Sequence, residues 1–382
     1  MCEPSRKKTQ YLVGVNLTLI VACFGTCWDV TDVRGEWWKA DWKYRHSLTL
    51  TTSVRELRDF PALVVLDSTR VDYAAMEDKG ADLRFVDGQG QVLSHEIEQW
   101  NTAGLSHVWV RIPRLSASGN HIWLYYGNPA AVGRQRPEDV WDSAFRGVWH
   151  FAEDPSQQPP QMKDSTSNRN HGSARRGMAS TARVPGKIGY CLQFDGKEGF
   201  VEHPHTRSLI LDRLAAFTLE AWIRTSQLIN QSILAKQNLE YRGYHLLVDN
   251  RPDPANPFVL RLVMPAVPAS NEIKVIGTQP LTDGRWHYVV ASYDGSGKAA
   301  GVKLYVDGKL EKSEIVYDSL RDSLDVDFPC YIANRGRGDM KFRGQLDEIR
   351  ISAVERSAGW IKAQYETVAS DPIIWGPKEN RR

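Results

Sequence analysis

A chain of 382 residues is longer than one ordinary core organises, and 42% hydrophobic with 25% charged residues is the balance of a globular protein. Forty-eight basic against 46 acidic residues leave a net charge of +2, which excludes a protein built to neutralise many phosphates, so nucleic acid is not an expected partner. Thirteen Trp and 14 Tyr fall in strand-like runs rather than helical ones.

The chain starts with Arg6, Lys7 and Lys8 ahead of a mostly apolar run from Tyr11 to Phe24. That is the charged region and apolar core of an export signal. Asn16 and Thr18 leave the run too short and too polar for a membrane span, which needs about 20 apolar residues. An uncleaved anchor is the alternative. Ile20-Val21-Ala22-Cys23 resembles a lipobox, whose Cys would carry lipid, although one lipid chain holds a protein only weakly. Residues 1–28 are therefore expected to be a signal peptide or lipoprotein leader. The protein would be extracellular, periplasmic or attached to the cell envelope, with any membrane attachment confined to leader or lipid.

Residues 37–145 read as short strands. Apolar side chains alternate at His46-Leu48-Leu50, Leu63-Val65, Leu83-Phe85 and Val108-Val110-Ile112, while Ile122 to Tyr126 is the fuller run of a strand covered on both faces. Asp87-Gly88 predicts a hairpin, and only Asp72 to Lys79 looks helical. Many short strands with almost no helix predict a β-sandwich. The second domain is expected over 146–370. It opens on Pro155, Pro159 and Pro160, and then Arg169 to Lys187 reads as a long, basic, exposed loop. From Gly189 the strands are strong: Phe217 to Ile223, Val259 to Val263, Trp286 to Tyr293, Val302 to Val306 and Leu346 to Ile351. Asp195-Gly196, Asp294-Gly295 and Asp307-Gly308 separate them as turns. Ser357 to Glu366 predicts one helix with Ser357 as N-cap. Residues 371–382 read as a tail. Cys191 and Cys330 both sit in strand-like segments. They could form a disulfide in an oxidising compartment, worth about a few kcal/mol, or remain two buried thiols, because their separation is not legible.

Four segments then carry a family resemblance: Leu192 to Gly196, Phe217 to Ile223, Gly284 to Gly295 with Leu304 to Lys309, and Gly344 to Ile351. In order and spacing, over about 200 residues, they resemble the laminin-G-like, concanavalin A-like jelly roll of bacterial secreted proteins. Trp42 to Arg45, Ala81 to Phe85, Glu96 to Trp100, Val108 to Pro113 and Tyr125 to Pro129 are similar to a bacterial domain of unknown function, family 2341, that often precedes such modules. The resemblance implies an all-β chain of two β-sandwich domains, the C-terminal one a concanavalin A-like jelly roll. Relatives of the first domain occur in surface proteins and beside proton-channel subunits; with no multi-span segment here, a channel function is not carried over.

Calcium is the ligand chemistry this resemblance suggests. Lys163 to Gly172 is similar to the Asp-x-Ser-x-x-Asn loop near the start of these modules, making Asp164 and Asn168 candidate ligands, with Asp347 if the fold brings it near. The bland alternative is an Asx-turn, since Ca²⁺ needs 6–8 oxygens. Hydrolases of this fold place catalytic carboxylates at alternate positions of one strand as Glu-x-Asp-x-x-Glu, and that pattern is absent. Glu96 and Glu98 share a face but lie in the first domain, Asp347 and Glu348 are expected to face opposite ways, and Glu220 stands alone. Tyr241, Tyr244 and His245 are candidate ligand-binding residues, and Arg175 and Arg176 of the basic loop could attract an acidic polysaccharide. Arg337-Gly338-Asp339 spells an adhesion tripeptide that a turn also explains. The resulting expectation is no enzyme but an exported binding protein for polysaccharide or a surface protein. The alternative is a secreted polysaccharide-active hydrolase or lyase.

Overall fold

A computed structural model describes residues 36–54, 56–117, 119–250 and 258–381, so the expected leader lies outside the described residues. Among these, only Pro137–Val140 and Ala358–Ala369 are α-helical, and nearly all other regular structure is strand. The all-β expectation holds. From Trp37 onward the chain forms one compact unit.

The first sandwich packs a six-stranded sheet on a three-stranded one. The larger runs Ile373–Trp375, Tyr44–Leu50, Asn120–Tyr126, Arg84–Asp87, Val92–Leu93, with Glu379–Asn380 also on Tyr44–Leu50. The smaller is Glu56–Leu66, Ser106–Ser116, His95–Gln99. Period-two alternation sends Leu48, Phe60, Phe85, Trp109 and Leu124 into a shared core. Asn120–Tyr126 is covered on both faces, because Tyr125 packs outward against Trp37, Trp38 and Trp42. The residues read as a tail pair with the first strand, Leu48 opposite Trp375 and Tyr44 opposite Asn380. The helix expected near Asp72 is instead two short 3-10 turns, Tyr73–Ala75 and Asp78–Gly80. Lys79 at φ +53° cannot continue a right-handed helix.

The second sandwich faces two eight-stranded sheets. One runs Arg183–Pro185, Tyr190–Asp195, Arg343–Ser352, Phe217–Arg224, Trp286–Tyr293, Val302–Val306, Lys309–Leu310, with Phe145–Trp149 on Arg343–Ser352. The other runs Glu314–Asp318, Asn271–Ile276, Phe258–Val267, Gly243–Asn250, Gln231–Gln237, Cys330–Ile332, Phe200–His203, Ser173–Arg175. Phe217, Leu219, Ala221 and Ile223 from one meet Leu260, Leu262 and Met264 from the other in the core. Asp307 at φ +51° and Gly308 at φ +74° form the tight turn between Val302–Val306 and Lys309–Leu310, where both central positions need positive φ. The basic stretch read as a long loop is instead organised into the strands Ser173–Arg175 and Arg183–Pro185; the second pairs with Tyr190–Asp195 through Val184 opposite Cys191.

Helix Ala358–Ala369 starts where expected, with Ser357 Oγ accepting from Trp360 N at 3.2 Å. It joins the two sandwiches. Trp360 and Ala363 enter the first core, and Ile361 packs on Trp222 and Tyr288 on the outer face of the second sandwich. Gln364 Nε2 donates to Pro61 O at 3.1 Å and Leu63 N donates to Thr367 Oγ1 at 3.0 Å.

Candidate binding cleft and a buried seam

The strands Gln231–Gln237, Gly243–Asn250, Phe258–Val267 and Asn271–Ile276 send alternate residues to the core, which leaves the others on the outer face of the sheet. His245, Asp249, Arg261 and Glu272 therefore share that face, with Leu247 opposite Arg261 and Pro265 opposite Glu272. Together with Tyr241, Arg335 and Met340 they line a cleft of about 220 Å³. Arg261 is ion-paired with Asp249, and Lys274 Nζ lies 3.0 Å from Glu272 Oε1. His245 shares a hydrogen bond of 3.0 Å with Ser232 Oγ, whose own proton goes to Asn334 O, so His245 Nε2 carries the donating hydrogen. Burial, with Arg335 and Arg261 adding, pushes His245 down to about 3 and keeps it neutral. Gln237 Nε2 donates to Tyr241 O at 3.0 Å, and its buried Oε1 has no partner.

The sequence candidates separate on this frame. Tyr241 and His245 do line the cleft, although both Arg335 (4.8 Å) and Arg337 (4.3 Å) lie over the Tyr241 ring. Tyr244 does not: one residue along the strand it points inward, buried at 1% exposure, with its hydroxyl donating to Leu209 O at 2.9 Å. Arg175 sits on the edge strand far along the sheet, paired with Glu202 at 2.6 Å, and Arg176 follows it in an exposed turn at φ +61°. Arg337 donates to Leu239 O, and Asp339 pairs with Arg335, so the adhesion tripeptide is tied down locally. The missed residues are Gln237, Asp249, Arg261, Glu272, Lys274 and Arg335. Alternation around Arg261 was the available signal.

The calcium candidates serve the backbone. Asp164 Oδ1 accepts from Val148 N (3.0 Å) and Thr166 N (2.9 Å), and its Oδ2 from Asn170 N (2.8 Å) and Thr166 Oγ1 (2.9 Å). Asn168 Nδ2 donates to Phe145 O at 2.9 Å. Asp347 is fully buried and caps Lys187 N and Ile188 N. No hydrogen bond or ion pair joins Asp347 to Asp164 or Asn168 among the described residues. Cys191 and Cys330 are free, buried thiols on facing sheets and not a disulfide. Burial raises both, Cys330 to about 12.

A larger cleft, about 610 Å³, lies on the first sandwich, but its charges pair with one another or with a neighbour, Lys378 with Asp72 at 3.3 Å and Arg70 with Asp371 at 2.5 Å. Arg70 also covers the Trp375 ring.

Between the sandwiches lies a second polar constellation. On Arg343–Ser352, Leu346, Ile349 and Ile351 point into the second core. Between them Glu348 takes φ +50°, and the pairing with Phe217–Arg224 slips there. This β-bulge turns Asp347 and Glu348 to the same outer side, correcting the expectation that they face opposite ways. Glu348 Oε1 meets His150 Nδ1 at 2.5 Å, and Glu348 Oε2 meets Arg350. From the first sandwich, Glu96 Oε2 lies 3.4 Å from His150 Nε2 and Glu98 Oε2 3.6 Å from His150 Nδ1. Trp141 Nε1 donates to Glu96 and Trp109 Nε1 to Glu98, both at 2.8 Å. Arg350 lies over both indoles, 4.6 Å from Trp109 and 4.8 Å from Trp141. Burial, with Glu348 adding, pushes Glu98 up to about 8. Burial opposes charge on His150, yet the surrounding Glu348, Glu96 and Glu98 hold it well above the ordinary histidine range.

The concanavalin A-like lectin/glucanases superfamily model matches residues 195–362, and that of a domain of unknown function (DUF2341) matches residues 79–158. No curated protein matches the chain. Among solved structures, the binding domain of Paraclostridial Mosquitocidal Protein 1 is similar at 13% identity and TM-score 0.44, covering 59% of this chain and 52% of that one. Domain 4 of AbnA, a GH43 extracellular arabinanase from Geobacillus stearothermophilus, in complex with arabinotriose, is similar at 17% identity and TM-score 0.41, covering 57% and 96%. The Botulinum Neurotoxin serotype G binding domain is similar at 13% identity and TM-score 0.44, covering 59% and 51%. The chain spans about half the length of the first and third. Residues 79–158 and 195–362 thus carry, in that order, the domain of unknown function and the concanavalin A-like lectin/glucanase fold to which the sequence motifs point.

Proposed function

We propose that the protein is a non-catalytic, exported recognition protein whose second sandwich takes a saccharide in the cleft around Asp249 and Arg261. The observation that carries this reading is the convergence of hydrogen-bonding side chains from four adjacent strands on one sheet face, with Gln237 Oε1 buried there without a partner. A buried acceptor left unpaired costs about 1–3 kcal/mol, which a donating hydroxyl recovers. Arg261, Lys274 and Arg335 are each matched by a carboxylate, Asp249, Glu272 and Asp339, so the lining offers hydrogen-bonding groups to a sugar without a net charge that selects acidic over neutral ones. The two carboxylates of the cleft are each ion-paired, which argues against a hydrolytic acid and nucleophile there.

The test is calorimetric titration of acidic and neutral oligosaccharides, chosen from a glycan array, into wild type and Arg335→Ala. Saturable binding that weakens at least tenfold in Arg335→Ala supports the reading. Absence of binding to every glycan, or binding indifferent to Arg335→Ala and Gln237→Leu, refutes it.

A further inference from the structure

Five carboxyl groups, Glu96, Glu98, Glu220, Asp347 and Glu348, are buried along the seam between the sandwiches. The cations beside them are His150, Arg350 and the half-buried Lys187. So many carboxyl groups away from water are neutralised either by protonation, as burial favours at Glu98 and Asp347, or by a bound cation. Three of these groups also have the geometry to hold one. The ligand atoms of Glu98, His150 and Glu348 all lie within 4.8 Å of one another. Donors around a tetrahedral ion, each at about 2.0–2.2 Å, stand roughly 3.3–3.6 Å apart. The separation of His150 Nδ1 from Glu98 Oε2, 3.6 Å, is already of that size, and the contact of His150 Nδ1 with Glu348 at 2.5 Å needs to open by about one ångström.

A second, independent observation points to a ligand. Glu98 Oε1 is buried beside His150 and makes no hydrogen bond, on a side chain exposed by only 1%. The surroundings have the form of an outer shell around a metal. With Nδ1 as the ligating atom, Glu96 Oε2 stands on the other side of the imidazole, 3.4 Å from Nε2. Glu96 is itself held by Trp141 Nε1 and by the Ser165 hydroxyl. Trp109 Nε1 fixes Glu98, and Arg350 holds the far oxygen of Glu348. A carboxylate behind the imidazole sets its tautomer and raises its basicity as a ligand.

We propose that Glu98, His150 and Glu348 bind one divalent transition-metal ion of the zinc class, through His150 Nδ1 and one oxygen of each carboxylate, and that this ion ties the first sandwich to the second. Mixed imidazole and carboxylate donors suit zinc or manganese better than calcium, which prefers oxygen alone.

The test uses the full chain, purified without chelators or metal-affinity resin. Elemental analysis is expected to find about one equivalent of metal. Chelation should lower the melting temperature, and added Zn²⁺ should restore it. Glu98→Gln keeps an acceptor for Trp109 and removes the anionic ligand, so it should lose the bound equivalent while remaining folded by circular dichroism. Co²⁺ added to the stripped wild type should give visible d–d absorption, absent in Glu98→Gln; this readout stands even if His150→Ala fails to fold. No bound metal together with no melting shift or spectrum on adding Zn²⁺, Mn²⁺ or Co²⁺ overturns the proposal. So does an equivalent retained undiminished in Glu98→Gln.

Discussion

Arg350→Met probes how much the seam contributes to the fold. The substitution keeps an unbranched side chain of similar reach between Trp109 and Trp141 but deletes the guanidinium. It strips Glu348 Oε2 of its ion pair and Gln364 Oε1 of a 2.6 Å hydrogen bond, both buried. Removing one partner of a buried pair costs about 3–5 kcal/mol, because the remaining charge has neither water nor partner. Glu348 retains His150 at 2.5 Å, which puts the expectation at the lower end, about 3 kcal/mol. With a urea m-value of about 3 kcal/mol/M for a chain of this size, the unfolding midpoint should fall by about 1 M. Arg350→Met/Glu348→Gln then removes the stranded charge at almost constant volume and should recover at least half of the loss. Equilibrium urea unfolding followed by tryptophan fluorescence measures both. A single-mutant midpoint within about 0.2 M of wild type, or a double mutant no better than the single, would refute the claim that Arg350 compensates a buried carboxylate.

Asp164→Ala removes the acceptor of three backbone amides and should lower the unfolding midpoint by about 1 M, from roughly 3 kcal/mol of unmet hydrogen bonding. If calcium stabilises wild type and not this variant in a paired melt, the loop holds an ion as well as its own backbone. His287 lies between Asp307 (2.9 Å) and Asp283 (3.1 Å); the hydrogen bond to Asp307 raises it above the ordinary histidine value, and Asp283 is held at about 2. The His287 contribution is therefore complete below about pH 6.5 and lost as pH rises through the raised value, while that of Asp283 is present above about pH 3.8 and lost as pH falls toward 2. His287→Gln should flatten the alkaline side of the stability profile between pH 6 and 9, as read from urea midpoints; an unchanged profile would sink the assignment. Peptide mapping after iodoacetamide should find Cys191 and Cys330 unmodified in native protein and both modified in urea without reductant, whereas a linked peptide would restore the disulfide.

Strands whose two faces differ were legible from local alternation, so Phe217 to Ile223 emerges as Phe217–Arg224 and Trp286 to Tyr293 with the same limits. The helix cap at Ser357 was equally local. The seam was not, for a definite reason. Period-two reasoning assigns Asp347 and Glu348 to opposite faces, and one residue at φ +50° reverses that assignment without leaving a glycine to mark it. Glu96 and Glu98 were read as sharing a face, but their partner His150 is some fifty residues away in sequence, beyond the reach of any local pattern. The cleft was half legible, through Tyr241 and His245, because its remaining residues converge from strands whose pairing order no local pattern states. Tyr244 was misjudged by one residue of register, which on a strand decides between ligand and core.

The pairing of Ile373–Trp375 and Glu379–Asn380 with Tyr44–Leu50 bears on the order of events during synthesis. The sheet of the first sandwich has its opening strand early and its closing strands near the end, with the whole second sandwich between them. At translation rates of about 5–20 residues per second, the amino-terminal sheet waits on the order of ten to fifty seconds with that edge unpaired. An open strand edge is a template for pairing with another chain. The nascent protein is thus most exposed to misassembly while its second half emerges, and rapid folding of that second half does not shorten the wait, because the edge closes only once Ile373–Trp375 and Glu379–Asn380 have been made.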